Sequence, residues 1–321
     1  MEEKIVRNEI NDLSQPQVID HFIGQEKIKA QVKTALEASW MDGSRFPDTL
    51  ALGSSGLGKT QISNIIAKEM GVVCKETLAS DFSNISDLNR FLLDCKDGDV
   101  LFFDEIHTIK KELMVVLYRA MENRKIFCRK NDGKTFCINL PKFSLIGATT
   151  DFHLLNQPLI DRFKLILHFD YYSDEEIEKI ILNRCQKLGW VVAPEVIYET
   201  SKISRGTPRT ALRIIENTRR VSRADGSDTI TLEHLEKSCA LDGLDSLGIN
   251  NNEQKLLHIL AQEDKPIRLN TLAMMLGTLP RNVSQNFEPY LFRLRLISKN
   301  DSGRIITPKG LKHIMNDNLE R

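Results

Sequence analysis

The run Gly53-Ser54-Ser55-Gly56-Leu57-Gly58-Lys59-Thr60 constrains this chain more than any other stretch. It fits the spacing GxxxxGK[ST], and its flanks fit as well. DTLALG before it reads as a short apolar strand ending in a Gly-rich turn, and KTQISNIIAKEMG after it reads as a helix stopped by Gly71. A strand, a glycine turn and a helix in that order aim several backbone N–H groups and the positive end of a helix at one small volume. Such a cradle takes phosphate. Gly56, Leu57, Gly58, Lys59, Thr60 and Gln61 form the nucleotide-holding stretch, with Lys59 expected on the β- and γ-phosphates and the Thr60 hydroxyl on Mg²⁺.

A second apolar run, DVLFFDE, ends in Asp104 and Glu105. Asp104 has the chemistry to hold the metal through water, and Glu105 to orient and polarise an attacking water, so the chain is expected to hydrolyse a nucleotide. KFSLIGATT is a third buried strand. Continuous apolar strands separated by helices predict a parallel sheet covered on both faces. KIFCRKNDGKTFCINL reads as a hairpin turning at Asn131-Asp132-Gly133, with Phe136, Ile138 and Leu140 on one side and Cys128 and Cys137 flanking the turn. From Ser173 the pattern is helical, opening on a capped run of acids. DGLDSLGINNN reads as a linker, and beyond it helices followed by ISKNDSGRIITP describe a winged helix.

Composition limits the rest. The 321 residues are 41% hydrophobic and 27% charged, which suits a soluble protein of two or three domains. No apolar run reaches the roughly 18 residues of a membrane span. The amino end, MEEKIVRNEIND, is unlike a secretory signal. Six scattered cysteines without a CxxC pair suit reduced thiols and a cytoplasmic location. His107 and His168 lack metal-ligand spacing and are expected in core or surface roles, and Trp40 and Trp190 are expected to pack. The 44 basic and 44 acidic side chains cancel, but residues 251–321 carry 11 basic against 7 acidic. An anionic polymer is therefore expected at the carboxyl end.

DEIH after the second strand, GATT closing the third, PLIDRF and RGTPRTALR together resemble an AAA+ ATPase. With DHFIGQEKIK, LPKFSLIGATT and FEPYL they resemble more narrowly the RuvB family, whose members drive Holliday-junction branch migration. The resemblance spans about residues 16–315. It implies an α/β fold: an AAA+ P-loop NTPase core with a parallel sheet (residues 1–170), a small helical lid domain (171–247) and a C-terminal winged-helix DNA-binding domain (248–321). It implies that Thr149 or Thr150, with Thr150 preferred, senses the γ-phosphate. It also implies that Arg162 is a finger reaching a neighbouring subunit's ATP, and that Arg209 is a second sensor touching the phosphates of its own subunit. Phe22, Ile23 and Tyr172 would wall the adenine, and Lys299 and Arg304 would contact DNA.

The implied cofactors are ATP and Mg²⁺. The implied partners are double-stranded DNA and four-way junctions, five further copies in a homohexamer, a RuvA-like junction-binding protein and a RuvC-like resolvase, with no membrane. The competing expectation within the same fold is a clamp-loader-like or initiator-like switch that loads a partner without translocating. A third, a binding module that has lost turnover, is disfavoured by the complete set Lys59, Asp104, Glu105, Arg162 and Arg209. The sequence departs from the family pattern in four places. Ser54-Ser55 replaces two prolines, and Ser14-Gln15-Pro16 replaces Leu-Arg-Pro. The hairpin that docks RuvA in the family is a few residues shorter, and Ser302 replaces an arginine of the wing.

Overall fold

The computed structural model describes residues 15–129, 135–263 and 265–320. The expected hairpin turn Asn131-Asp132-Gly133, and Ser14 of the amino-terminal motif, lie outside the described residues. Two compact units result. One runs to Gly189 and takes in Thr207–Arg209; the other comprises Trp190–Gly206 and continues from Thr210.

The first unit contains strands β1 (Thr49–Leu52), β2 (Cys74–Leu78), β3 (Val100–Asp104), β4 (Lys125–Arg129), β5 (Thr135–Asn139), β6 (Ser144–Thr149) and β7 (Leu165–His168). Five of them form a parallel sheet in the order β2-β3-β6-β1-β7. Every residue of β1 and β6 is buried, as is all of β3 except Asp104. That burial is why their sequences are apolar without alternation. The edge strands β2 and β7 escape a sequence reading because they are only partly covered, and Lys75, Glu76 and His168 interrupt their apolar pattern. Leu101, Phe103, Leu145, Leu88, Leu113 and Leu117 belong to the core on one side of the sheet.

Buried Asp48 sets the entry to β1. It accepts hydrogen bonds from the Leu145 amide and from Arg45, both at 2.8 Å, and pairs with Arg124 at 3.3 Å. In the β4–β5 hairpin Phe136 and Ile138 do share a side, together with the buried Ile126. The backbone register pairs Cys128 with Phe136 and Cys137 with Phe127 rather than the two cysteines with each other. Phe127 lies half exposed on the other face, 5.2 Å from the Arg119 guanidinium.

The second unit begins with helices Pro194–Ile203 and Leu232–Asp242, and most of helix Pro208–Ala224 lies between them in the chain. Two-residue strands β8 (Val191–Val192) and β9 (Thr229–Ile230) pair in parallel, too short to leave a pattern in sequence. The stretch expected to be a linker is packed. Ile249 is fully buried, Asp245 accepts the Leu247 and Ile249 amides, and Asn250 and Glu253 form a capping box. Helices Asn251–Gln262 and Leu269–Met275 follow. Pro280–Asn282 then continues through a π turn, Val283–Phe287, into Glu288–Arg293. Strands β10 (Ile297–Asn300) and β11 (Gly303–Ile306) form the wing, and helix Pro308–Glu320 closes the domain.

Two arginines are consumed in holding this unit together. Arg205 donates to both carboxylate oxygens of fully buried Glu253, at 2.8 and 2.6 Å, and to the Gly248 carbonyl, and it stacks on Tyr290. Arg304 donates to both oxygens of Glu288, at 2.6 and 3.1 Å, with both residues buried. Removing one partner of such a pair strands the other charge away from water. Arg304→Ala should therefore lower unfolding stability by about 3–5 kcal/mol, read from the urea midpoint of the transition that includes the winged helix. Lys299→Ala, on the exposed wing, should stay within about 0.5 kcal/mol of the parent.

Candidate functional site

The phosphate loop lies between β1 and helix Lys59–Glu69. Its glycines are required by geometry. Gly56 has φ +82°, and a Cβ there would come within 2.8 Å of the Arg209 side chain. Gly58 has φ +101°, and a Cβ there would meet the Phe22 ring at 3.0 Å. The Lys59 ammonium donates to the carbonyls of Gly53 at 2.7 Å and Ser54 at 2.9 Å. Burial pulls its pKa below the ordinary lysine value, Glu105 and Asp104 push it back up, and Arg209 adds to the lowering. A cation already losing hydration beside another cation is one that an incoming polyphosphate stabilises.

Beside the loop, β6 runs between β1 and β3, so its polar end separates Lys59 from the carboxylates of β3. Neighbouring residues at a strand end point opposite ways, and the two threonines divide the work accordingly. Thr150 donates through its amide (3.1 Å) and its hydroxyl (3.0 Å) to Glu105 Oε2. Thr149 is buried, bonded to His107 Nδ1 at 2.8 Å and accepting from the Asp151 amide. Glu105 itself sits at φ +46°, an uncommon conformation for a non-glycine residue and one that clusters at functional sites. Asp104 Oδ1 accepts the Glu105 amide at 3.0 Å. The Thr60 hydroxyl and the Asp104 carboxylate are hard oxygen donors, the set Mg²⁺ prefers, and so they fit that ion.

Arg209 closes the loop from the other side. Its Nη1 donates to the Ser55 hydroxyl at 2.7 Å, and its amide approaches the Gly56 carbonyl at 3.4 Å. Phe22 and Tyr172 are buried and Ile23 partly so. The Tyr172 hydroxyl donates to the Leu57 carbonyl at 3.1 Å, and burial raises its pKa. Gln61 turns away from the loop and donates to the Pro16 carbonyl at 3.1 Å.

Arg162 makes its contacts elsewhere: it pairs with Glu122 at 2.9 Å, donates to the Pro158 carbonyl and lies 4.3 Å from the Tyr118 ring centroid. Its Nε is buried without a hydrogen-bond partner. At the wing, Lys299 is exposed, directly opposite Arg304 in the β10–β11 register. Arg304 is turned inward onto Glu288, so the expected pair of phosphate-facing cations reduces to Lys299.

Three residues, His107, Ser54 and Ser55, make contacts that the sequence does not announce. His107 was expected in a core or surface role, yet it lies 3.2 Å from Glu105 and is bonded to Thr149. Its position inside the DEIH run, three residues after Asp104, was the available signal. Ser54 and Ser55 use their hydroxyls on Tyr171 and Arg209, and nothing local in sequence indicates either partner. Trp40, expected to pack, is half exposed.

A buried strand with a polar end, threaded between the phosphate-loop strand and the carboxylate strand, with an arginine from a helical segment closing on the loop, is the arrangement of an AAA+ ATPase. The comparisons with known proteins agree along the length of the chain. Residues 14–169 match the Holliday junction DNA helicase RuvB P-loop domain, 172–246 the RuvB AAA lid domain and 246–315 the RuvB C-terminal winged helix domain. The chain belongs to the RuvB family. The Holliday junction branch migration complex subunit RuvB of Ehrlichia ruminantium is 33% identical over 312 residues, covering 96% of this chain and 94% of that protein. That of Lactobacillus johnsonii is 36% identical over 299 residues, covering 92% and 88%. The structure of the Thermotoga maritima RuvB Holliday junction branch migration motor aligns with a TM-score of 0.82 at 32% identity, covering 94% of this chain and 98% of that one.

The site separates binding from chemistry. Lys59→Ala should abolish ATP binding, because the loop lysine neutralises phosphate charge already present in the ground state. Glu105→Gln should bind ATP and stop hydrolysing it, and turnover near the parent rate in a single-turnover assay would remove that carboxylate from the mechanism.

Proposed function

We infer that this protein is an ATP-hydrolysing motor that drives branch migration of Holliday junctions in recombination and DNA repair, working as a homohexameric ring on duplex DNA. The observation that carries the reading is the hydrolytic set gathered at one sheet edge in a chain that also ends in a winged helix. Lys59 lies among the loop carbonyls, Glu105 is oriented by Thr150, and Arg209 sits on the loop. Residues 1–170 hydrolyse ATP, 171–247 form the lid and 248–321 meet DNA.

Lys59 and the loop amides bind the β- and γ-phosphates, Glu105 accepts a hydrogen bond from the attacking water, and Thr150 fixes the Glu105 carboxylate. Thr60 and Asp104 would hold Mg²⁺, which supplies charge neutralisation on the phosphate oxygens when bound. Arg162 is the finger offered to the next subunit. Its contacts with Glu122, Tyr118 and Pro158 lie on its own helix-bearing flank, away from the loop that its own subunit uses.

We take the hairpin, which exposes Phe127 on one face and Phe136 on the other, as the element offered to a RuvA-like junction-binding protein, and a RuvC-like resolvase would act on the same junctions. Among the described residues no helix is long and apolar enough to cross a membrane, and we place the protein in the cytoplasm.

The deciding experiment is ATP-dependent movement of a synthetic four-way junction, with and without a RuvA-like partner. ATP hydrolysis with no junction movement in either condition would refute the motor. Arg162→Ala should keep ATP affinity and lose about 10³–10⁵ in rate. Mixing it with Glu105→Gln subunits should restore some turnover, since an intact Glu105 can then sit beside a neighbour's intact Arg162. No rescue at any ratio would mean the site is not shared. DNA affinity should fall steeply with salt and show no sequence preference, and Lys299→Ala should flatten the log-affinity against log-salt slope by about 0.9. Anisotropy titrations on two unrelated duplexes measure this.

A further inference from the structure

We propose that Ser55, with Ser54 beside it, is a positioning residue for ATP binding: its hydroxyl holds the Arg209 guanidinium over the phosphate loop before the nucleotide arrives. This rests on the reading of Arg209 as a cation that touches the phosphates of its own subunit.

Every residue at the loop apex is tied. The Ser55 hydroxyl accepts from Arg209 Nη1 at 2.7 Å, and the Ser54 hydroxyl bonds the Tyr171 hydroxyl at 2.9 Å. The Ser54 carbonyl accepts from Lys59. Tyr171 immediately precedes Tyr172, whose own hydroxyl donates to the Leu57 carbonyl three residues beyond Ser54. The loop is thus laced on one side to the segment carrying the adenine wall and on the other to the segment carrying Arg209.

The lacing matters because Arg209 is an exposed, long side chain beside the Lys59 ammonium. Left alone, it would swing into solvent, away from the like charge, and ATP binding would have to order it. The Ser55 hydroxyl offsets that tendency. It does so without competing with phosphate, because a guanidinium has five N–H donors and this bond uses one. A proline at either position would stiffen the loop but offer no hydroxyl. This chain holds its loop by hydrogen bonds instead, and one of those bonds sets a phosphate-binding cation in place.

The test is a double-mutant cycle on the full-length protein, reading the Kd of a fluorescent ATP analogue together with KM and kcat for ATP. Ser55→Ala should weaken nucleotide binding by about three- to tenfold, the range of a charge-assisted hydrogen bond at a partly wet site. The change should appear in Kd and KM more than in kcat. Ser55→Thr, which keeps the hydroxyl, should restore affinity. In an Arg209→Ala background, Ser55→Ala should have no further effect. Ser55 is exposed, so an unchanged melting temperature is expected and guards against a folding artefact. Unchanged or tighter binding by Ser55→Ala overturns the proposal, as does the same loss of affinity in the Arg209→Ala background. If Arg209→Ala alone binds ATP like the parent, the reading of Arg209 fails separately, and the tether loses its purpose with it.

Discussion

The pairing of β6 between β1 and β3 is the constraint on which the nucleotide site depends. Parallel ladders fix the ends of the three strands side by side, so the residue types that close them meet at one edge. Lys59 follows β1, Thr149 and Thr150 end β6, and Asp104 and Glu105 end β3. None of these side chains needs a long reach, and Glu105 is set by a single turn of positive φ. The Glu105 carboxylate, to which we give the task of polarising water, is therefore held by backbone geometry and a threonine, on a scaffold whose inner strands are buried except at Asp104. Asp48 anchors the other end of the same strands, accepting the β6 amide of Leu145 while neutralised by Arg45 and Arg124.

What could be read from sequence follows from how local each signal was. The phosphate loop, the Asp-Glu strand end and the capped helix at Ser173 depend on neighbours within a few residues, and each stands where its spacing put it. The three inner strands were legible because double-sided burial demands unbroken apolar runs. The edge strands β2 and β7 were not, because a strand covered only in part tolerates lysine, glutamate and histidine. Long-range partners left no trace. His107 finds Thr149 across 42 residues and Ser55 finds Arg209 across 154.

The winged helix shows the same limit in its charges. Between Arg281 and Lys312 the sequence has seven basic residues against Glu288 and Asp301. Folding takes one of those charges, Arg304, out of solvent and ties two others down at the surface. Arg304 is neutralised by Glu288, Arg293 lies over Tyr290 and donates to the Arg205 carbonyl, and Lys309 donates to the Leu294 carbonyl. A charge count assigns every cation to the surface. The structure neutralises one of them, Arg304, inside the domain, and the other six, Lys299 on the wing among them, stay at the surface.

The Arg205–Glu253 pair has a practical consequence for anyone dissecting this chain. Composition draws a domain boundary through residues 242–252, yet Ile249 is sealed, Asp245 is bonded to two amides and to His313, and Glu253 takes its cation, Arg205, from 48 residues upstream. Proteolytic nicking concentrates at exposed loop tips with few backbone bonds, and the middle of this stretch is packed and bonded. A fragment starting at residue 248 would carry the Glu253 carboxylate without its cation and the Tyr290 hydroxyl without the Leu247 carbonyl that accepts from it. The smallest piece that keeps the winged helix whole must begin upstream of Arg205.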